Sequence, residues 1–278
     1  MIKFPGFNLS LEVRQIAFSI FGIDIYCYAI CICLGVILAL VLCRFSKEKF
    51  GIEFDFLFET LIYAVLIGIV GARIYYVIFK LDYYLLKPVE ILKIRDGGLA
   101  IYGGLIAGGI FILARCNKYK VDKLDFFDYL APSVALAQSI GRWGNFFNQE
   151  AYGTMTKNIF RMGIITEKGY TEVHPTFLYE SISTLVIFAI LKILQKNRKF
   201  KGEIFYWYLI MYSGIRMVIE NLRIDSLMLK KFRISQILSV AIFVVFSMLL
   251  LKKYIKYIKP QKNSIKLKKK VNENNLQM

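Results

Sequence analysis

Residues 141–153 read Gly-Arg-Trp-Gly-Asn-Phe-Phe-Asn-Gln-Glu-Ala-Tyr-Gly, a polar stretch among segments that are apolar enough to cross a membrane. Its thirteen positions hold one Arg, two Asn, one Gln, one Glu and three Gly. Charged and amide groups are costly near lipid unless they pair with one another or with a polar ligand. The stretch therefore indicates a site for an anionic headgroup at the membrane surface; an ordinary polar loop between helices is the alternative.

The rest of the chain predicts an all-α, polytopic integral membrane protein. Its 278 residues are 57% apolar and their mean hydropathy is +0.51, which is too hydrophobic for an ordinary soluble domain. A helix needs roughly 18 to 20 apolar residues to span the hydrocarbon core. We expect about seven transmembrane helices, at residues 25–43, 57–79, 97–114, 126–139, 176–191, 204–222 and 234–251.

The basic residues predict the orientation of these spans. One side of the membrane collects 21 of the 37 Lys and Arg residues, including Arg44, Lys47 and Lys49 after the first span and nine lysines between residues 252 and 270. The positive-inside rule then makes the C-terminus cytoplasmic and places the N-terminus outside.

We expect a single transmembrane catalytic domain at 1–258 and a basic cytoplasmic tail at 259–278 that contacts anionic membrane lipids. No soluble domain is left to bind nucleic acid, so we expect no nucleic-acid partner.

The sixth span carries charged residues that belong to a polar cavity. Arg216, Glu220 and Arg223 have i, i+4 and i+7 spacing, which predicts one helical face. An Arg at the centre of a spanning helix costs about 2.5–3.5 kcal/mol on the insertion scale, so it should have a partner. An Arg216–Glu220 ion pair that only joins helices is one interpretation. Two arginines from different segments, Arg142 and Arg216, fit a phosphate better, because guanidinium groups bind phosphate oxygens bidentately.

The third and first spans add candidate residues near the outer side. Gly103 and Gly104 follow Tyr102 at the outer end of the third span. Close helix packing explains such glycines equally well, but it does not explain the tyrosine. Tyr26 lies at the outer end of the first span, where an interfacial aromatic residue is the alternative interpretation.

In its order of motifs, the chain resembles the prolipoprotein diacylglyceryl transferase family, whose signature is similar to residues 141–153. The resemblance covers most of the chain and includes Tyr26, Gly71-Ala72-Arg73, Asp96-Gly97-Gly98, Gly103-Gly104, Asp128, His174-Pro175, Tyr179-Glu180, Arg216, Glu220 and Arg223. One position departs from the common pattern, because members of the family often carry His where this chain has Tyr102.

The resemblance implies a lipid-transfer reaction in the bacterial cytoplasmic (inner) membrane, with the active site toward the outer leaflet. The diacylglyceryl group of phosphatidylglycerol moves to the lipobox cysteine thiol of a prolipoprotein signal peptide, which forms a thioether and releases glycerol phosphate. The implied catalytic residues are Arg142, Arg216, Tyr102, Glu150, Glu220 and Tyr26. The implied phosphatidylglycerol-binding residues are Arg142, Asn145, Asn148, Gly153, Gly103 and Gly104.

Within these sets each residue has an expected role. Arg142 and Arg216 neutralise the phosphate, while Glu150 and Glu220 orient the two guanidinium groups. Tyr26 and Tyr102 line the approach of the thiol. With a single His in the chain we expect no metal, and the reaction needs no cofactor. The group that accepts the thiol proton stays open among Tyr102, His174, a carboxylate and water.

Two other classes of function are compatible with charges in a membrane. A transporter or lipid flippase is expected to show an internal repeat or discontinuous helices, which the sequence does not reveal. A phospholipid phosphatase attacks phosphorus and needs a nucleophile or a pair of histidines, which a single His cannot supply. The sequence therefore favours the transferase.

Overall fold

The computed structural model describes residues 1–46, 50–94, 97–166, 169–226, 228–229 and 232–275. Lys47 and Lys49 of the first basic flank and Asp96 of the glycine motif lie outside the described residues. Residues 276–278 of the predicted tail also lie outside the described residues. The structure does not describe the side chains of residues 260–275.

The chain divides into two compact units, one formed by Met1–Leu42 with Phe127–Met278 and the other by Cys43–Phe126. Eight helices account for most of the described residues. They are α1 (Cys27–Ser46), α2 (Phe54–Phe79), α3 (Leu81–Leu86), α4 (Ile101–Lys118), α5 (Lys123–Asn148), α6 (Thr176–Lys196), α7 (Glu203–Leu222) and α8 (Ile234–Asn275).

Four of these helices are long and apolar enough to cross a membrane: α1, α2, α6 and the Ile234–Lys259 part of α8. The prediction of a mostly helical membrane protein is therefore confirmed. Helices α4, α5 and α7 also form where spans were predicted, but glycines and charged residues lower their hydropathy. Such polar spans are tolerated where they line a cavity or pack against protein.

The unit Cys43–Phe126 is held together by close packing of α2 against α4. A Cβ atom on Gly103 would lie 2.5 Å from the carbonyl oxygen of Gly71, and one on Gly104 would lie 3.2 Å from that of Gly68. Small residues let the two backbones approach. Arg73 near the end of α2 donates hydrogen bonds to the backbone carbonyls of residues 90, 91, 93, 97 and 98, so its buried guanidinium organises the α2–α4 connection.

In the other unit, α1 lies along α5 through a second set of small residues. A Cβ atom on Gly144 would be 2.6 Å from the Tyr28 ring, and one on Gly35 would be 3.0 Å from the carbonyl oxygen of Ala137. At the far end of α5, the fully buried Asp128 accepts hydrogen bonds from the backbone N–H groups of Gly202 and Phe205 and pairs with Arg198. Asp128 therefore caps the start of α7.

Short strands form a feature that the all-α prediction did not contain. A four-stranded antiparallel sheet has the order β2 (Leu9–Leu11), β1 (Ile2–Phe4), β5 (Met162–Thr166) and β6 (Gly169–Val173). Residues 153–156 continue it beyond β6, because Gly153 N–H donates to the His174 carbonyl and Thr156 N–H to that of Glu172. We call these five segments the cap sheet. Two hairpins, β3–β4 (Ile16–Ile20, Ile23–Tyr26) and β7–β8 (Met228–Leu229, Phe232–Arg233), complete the strands.

The cap sheet packs on the ends of α5 and α6. Its inner face contributes Ile2, Met162, Ile164 and Val173 to a buried cluster with Phe146 and Phe177. This cluster fixes the end of α5, where residues 141–148 of the polar stretch lie. The fourth predicted span ends at residue 139, but the helix continues to Asn148.

Candidate phosphate-binding site

Two arginines and two glutamates from three helices form an ion cluster. Arg142 on α5 donates through Nη2 to Oε1 of Glu180 on α6 at 2.5 Å. Arg216 on α7 donates through Nη1 to Oε2 of Glu180 at 3.1 Å and through Nη2 to Glu220, one turn later. The two glutamate side chains are 2% exposed, whereas Arg142 is 24% and Arg216 14% exposed. The guanidinium groups therefore form the accessible face of the cluster.

Glu180 bridges the two arginines and sets the distance between them. It gives one carboxylate oxygen to each guanidinium, and its Oε1 also accepts a hydrogen bond from the Tyr212 hydroxyl at 3.1 Å. These bonds use only part of the five N–H groups that each guanidinium carries. The remaining donors can bind phosphate oxygens from two directions. The predicted joining of Arg142 and Arg216 in one site is present in the structure.

The polar stretch supports Arg142 through its two asparagines. Arg142 Nη1 donates to Asn145 Oδ1 at 3.2 Å, and the Asn145 amide donates to Glu150 at 2.9 Å. Asn148 donates to the same Glu150 oxygen at 3.4 Å. Glu150 was expected to orient one of the two guanidinium groups. In the structure Glu180 makes the carboxylate contact with Arg142, and Glu150 reaches Arg142 through Asn145.

Gly153 lies where no side chain fits. A Cβ atom there would be 2.8 Å from the His174 Cβ atom and 3.0 Å from the Leu222 carbonyl oxygen. The Gly153 backbone pairs with Arg223 on one side and donates to the His174 carbonyl on the other. This close approach explains why the position holds glycine. Contact of Gly153 with the lipid headgroup stays a prediction.

Arg223 does not lie on the α7 face with Arg216 and Glu220, as its spacing predicted. The helix ends at Leu222, and Arg223 has extended backbone and forms two hydrogen bonds with Asp225, at 2.9 and 2.7 Å. Burial lowers the pKa of Arg223, but Asp225 outweighs this effect and raises the pKa above its ordinary value, while the charge of Arg142 opposes the rise. Arg223 is therefore a charged guanidinium held by Asp225 just beyond the end of α7.

Tyr26 ends β4, immediately before α1, and is 47% exposed. Next to it, Cys27 N–H donates to the Gln15 carbonyl at 2.8 Å, and the Gln15 side chain donates to the Asn148 carbonyl at 3.3 Å. The base of the β3–β4 hairpin therefore contacts the end of α5. This places Tyr26 near the polar stretch, and its role at the thiol stays a prediction.

Tyr102, Gly103 and Gly104 belong to the unit Cys43–Phe126 and lie in the first turn of α4. Packing against α2 accounts for both glycines. Their binding role and the role of Tyr102 stay predictions.

His174 is half-buried between β6 and α6, and its Nδ1 lies 3.2 Å from the Tyr179 hydroxyl. Burial lowers the pKa of His174, which favours the neutral imidazole at neutral pH. It remains one of the possible proton acceptors.

Comparison with known proteins identifies the family of the chain. The family model of prolipoprotein diacylglyceryl transferase matches residues 15–252, which run through both units. The chain belongs to the prolipoprotein diacylglyceryl transferase family. Three relatives named phosphatidylglycerol–prolipoprotein diacylglyceryl transferase are 47% identical (Finegoldia magna, 83% of this chain and 92% of the relative), 44% identical (Clostridium novyi, 88% and 97%) and 43% identical (Streptococcus pyogenes, 84% and 92%).

In this member of the diacylglyceryl transferase family, the sequence predicts no role for three residues in or beside the cluster. Glu180 belongs only to the motifs that resemble the family, and Tyr212 and Asp225 belong to none of the predicted sets. The helical spacing of Tyr212, Arg216 and Glu220 (i, i+4 and i+8) was an available signal, because it predicts one face of α7. Nothing in the sequence connects Glu180 with arginines on two other helices.

Proposed function

We propose that the protein transfers the diacylglyceryl group of phosphatidylglycerol to the lipobox cysteine thiol of prolipoproteins, the first step of bacterial lipoprotein maturation. Family membership defines the reaction class. The observation that carries the proposal is the pair of guanidinium groups, from different helices, held by one buried carboxylate. Such a pair can bind both sides of one phosphate group.

The reaction replaces a carbon–oxygen bond by a carbon–sulfur bond. The thiolate attacks the glycerol carbon that carries the phosphate ester, and the electron pair of the breaking bond moves to the phosphate oxygen. Glycerol phosphate then leaves with one more negative charge than the diester had. Arg142 and Arg216 stabilise this developing charge. Because the additional charge is present in the transition state and not in the bound substrate, its stabilisation lowers the energy barrier of the reaction.

The other predicted residues take supporting roles. Glu180 and Glu220 hold the two guanidinium groups, and Asn145, Asn148 and Glu150 shape the headgroup pocket beside Arg142. Tyr26 and Tyr102 line the approach of the thiol, whose free pKa is about 8.5, so a base must accept its proton. The overall charge of the four-residue cluster is zero, with two arginines against two glutamates, so its attraction for a phosphate comes from the guanidinium N–H groups on its accessible face and not from an excess of positive charge.

We further propose that both units belong to one transmembrane catalytic domain at 1–258, followed by a basic tail. With α4, α5 and α7 counted as spans, the chain crosses the inner membrane seven times. At 1.5 Å per residue the 18 residues of α4 extend about 27 Å, close to the hydrocarbon thickness of about 30 Å. The N-terminus and the active site then face outward, and the C-terminus is cytoplasmic.

The function is tested with the purified protein in vesicles and a synthetic prolipoprotein peptide. We expect mass spectrometry to show a diacylglyceryl adduct on the lipobox cysteine when the vesicles contain phosphatidylglycerol, together with released glycerol phosphate. Vesicles of phosphatidylethanolamine alone and a peptide with Ser in place of the cysteine are the controls. Adduct formation without phosphatidylglycerol, or inorganic phosphate as the product, would contradict the proposal.

A further inference from the structure

A large groove lies at the cap sheet, and apart from Gly153 its lining residues have no role in the site described above. Its volume is about 1200 Å³, and most of its lining is apolar. The lining residues are Tyr152, Gly153, Thr154, Met155, Thr156, Lys157, Ile165, Thr166, Tyr170, Thr171, Glu172, Val173 and Ile224.

The groove exposes large apolar side chains on a sheet outside the predicted spans. Met155 is 79% and Ile165 is 73% exposed, and Tyr170 and Ile224 are more than half exposed. The neighbour of Ile165 in β5, Ile164, is buried in the core on the other face of the sheet. The face of the sheet that carries Ile165 therefore presents an exposed apolar patch of Ile165 and Tyr170 beside the charged residues Lys3 and Glu172. A contiguous exposed apolar surface with a polar rim is typical of an interaction site.

The groove lies beside the end of α7, the helix that carries Arg216 and Glu220 of the ion cluster. Gly153 and Thr154 line it, and the same two residues join the end of α7: Thr154 N–H donates to the Leu222 carbonyl at 2.7 Å, and Gly153 pairs with Arg223. Ile224, the residue after Arg223, also lines the groove. The cluster residues on α7 and the groove beyond its end are therefore four residues apart along the chain, at Glu220 and Ile224.

We propose that this groove binds the extended polypeptide segment that follows the lipobox cysteine of the substrate. The inference rests on the proposed function, which places that cysteine at the arginine cluster. The signal peptide before the cysteine is apolar and lies in the membrane, so the chain after it must continue on the outward side, where this groove lies in the proposed topology.

The lining fits a peptide better than a lipid surface. Apolar side chains from Met155, Ile165 and Ile224 can pack against every second side chain of an extended segment. Thr154 and Thr156 supply hydroxyl groups that can bind its amide and carbonyl groups, whereas the hydroxyl groups of Thr166 and Thr171 donate to the Gly169 carbonyl. Lys157 and the Glu172–Arg161 ion pair add charged groups, for which a lipid-facing surface has no use.

The experiment compares two peptide substrates on the full protein in phosphatidylglycerol vesicles. The long peptide continues well past the lipobox cysteine, and the short one ends directly after it. Ile165→Asp places a charge in the groove, and Leu9→Asp makes the same change on β2, a strand of the same sheet that does not line the groove. Losing the burial of one such side chain corresponds to about a tenfold change in affinity.

We expect Ile165→Asp to raise KM for the long peptide about tenfold, with kcat and KM for the short peptide unchanged, and Leu9→Asp to alter neither. A photoreactive amino acid at residue 165, but not at residue 9, should cross-link to the long peptide. Equal effects of Ile165→Asp on both peptides, or cross-links only to lipid or to a second copy of the protein, would overturn the inference. If the wild-type protein modifies neither peptide, the proposed function itself fails.

Discussion

At the scale of single residues, Glu180 turns two separate arginines into one site. The sequence predicted Arg142 and Arg216, because a charged residue among apolar ones is conspicuous and must have a partner. It also predicted the pair of Arg216 with Glu220, which share a helix and have i, i+4 spacing. The contact of Glu180 with both arginines could not be predicted, since it depends on how α5, α6 and α7 pack.

Removing the charge of Glu180 tests its role as a positioning residue. Glu180→Gln keeps the shape but leaves two guanidinium groups without their shared carboxylate, and breaking a buried ion pair costs about 3–5 kcal/mol. We expect a lower melting temperature and a raised KM for phosphatidylglycerol, because the arginines lose their fixed separation, and Glu180→Asp should restore part of both. Glu59→Gln, which removes an exposed partner of Arg115, should change neither quantity appreciably. Unaltered kinetics in folded Glu180→Gln would contradict the assignment.

Arg142→Lys separates charge from geometry at the phosphate. Lysine keeps the positive charge but places all its donors on one nitrogen, so it loses the planar fork that contacts Glu180 and Asn145 through separate nitrogens and can bind a phosphate bidentately. We expect kcat/KM to fall about 100-fold or more, as when one donor to a developing anion is lost, while membrane insertion and expression stay normal. Transfer assays at matched protein levels measure the change. Wild-type activity in this variant would remove Arg142 from the chemistry.

Tyr102 is the position where the chain departs from its family, and two roles make different predictions. A free phenol has a pKa of about 10, so it is a poor base at neutral pH. We therefore expect Tyr102 to orient the thiol, with Tyr102→Phe keeping much of the activity. If Tyr102 is the base, Tyr102→Phe nearly abolishes turnover and Tyr102→His restores it with a lower pH optimum. Activity profiles from pH 5 to 10 for the three proteins distinguish the two roles.

At the scale of helices and strands, the sequence predicted the positions of the apolar helices more accurately than their ends. The fourth predicted span stopped at residue 139, whereas α5 continues to Asn148. Hydropathy falls at the polar stretch, but a helix needs only suitable backbone conformation and packing, and Phe146 on its last turns is buried in the core under the cap sheet. The first span likewise begins at Cys27 instead of residue 25, because residues 23–26 form β4.

The glycines of α4 allow a matched test of helix packing. Gly103 lies against the Gly71 carbonyl oxygen, whereas a Cβ atom on Gly109 in the same helix has nothing within 4 Å. We expect Gly103→Ala to destabilise the protein by about 1–3 kcal/mol through overpacking. Gly109→Ala should be neutral or stabilise it by up to about 1 kcal/mol, through helix propensity. Thermal unfolding in the same detergent compares the two. Equal melting temperatures would show that α2 and α4 do not pack this closely.

At the scale of the whole molecule, the sequence predicted the membrane class and the family but neither the cap sheet nor the groove. The strands of the cap sheet come from the N-terminus and from the α5–α6 connection, and pairing between segments so far apart leaves no local pattern. The strands are also short, at three to five residues. Only a hydrophobic alternation over a longer segment would have been recognisable.

The orientation of the whole chain is the remaining prediction, and the reaction depends on it. A translocated prolipoprotein presents its cysteine at the outer leaflet, so an active site on the cytoplasmic side could not reach it. The excess of basic residues on one side predicts that a reporter fused after Met278 is cytoplasmic. It also predicts that a tag inserted between β5 and β6 reacts with a membrane-impermeant label added to intact spheroplasts. The same tag moved into the α6–α7 connection is the control and should react only after the membrane is opened. If the β5–β6 tag reacts only in opened spheroplasts, the cap sheet and the arginine cluster face the cytoplasm, and the proposed topology is wrong.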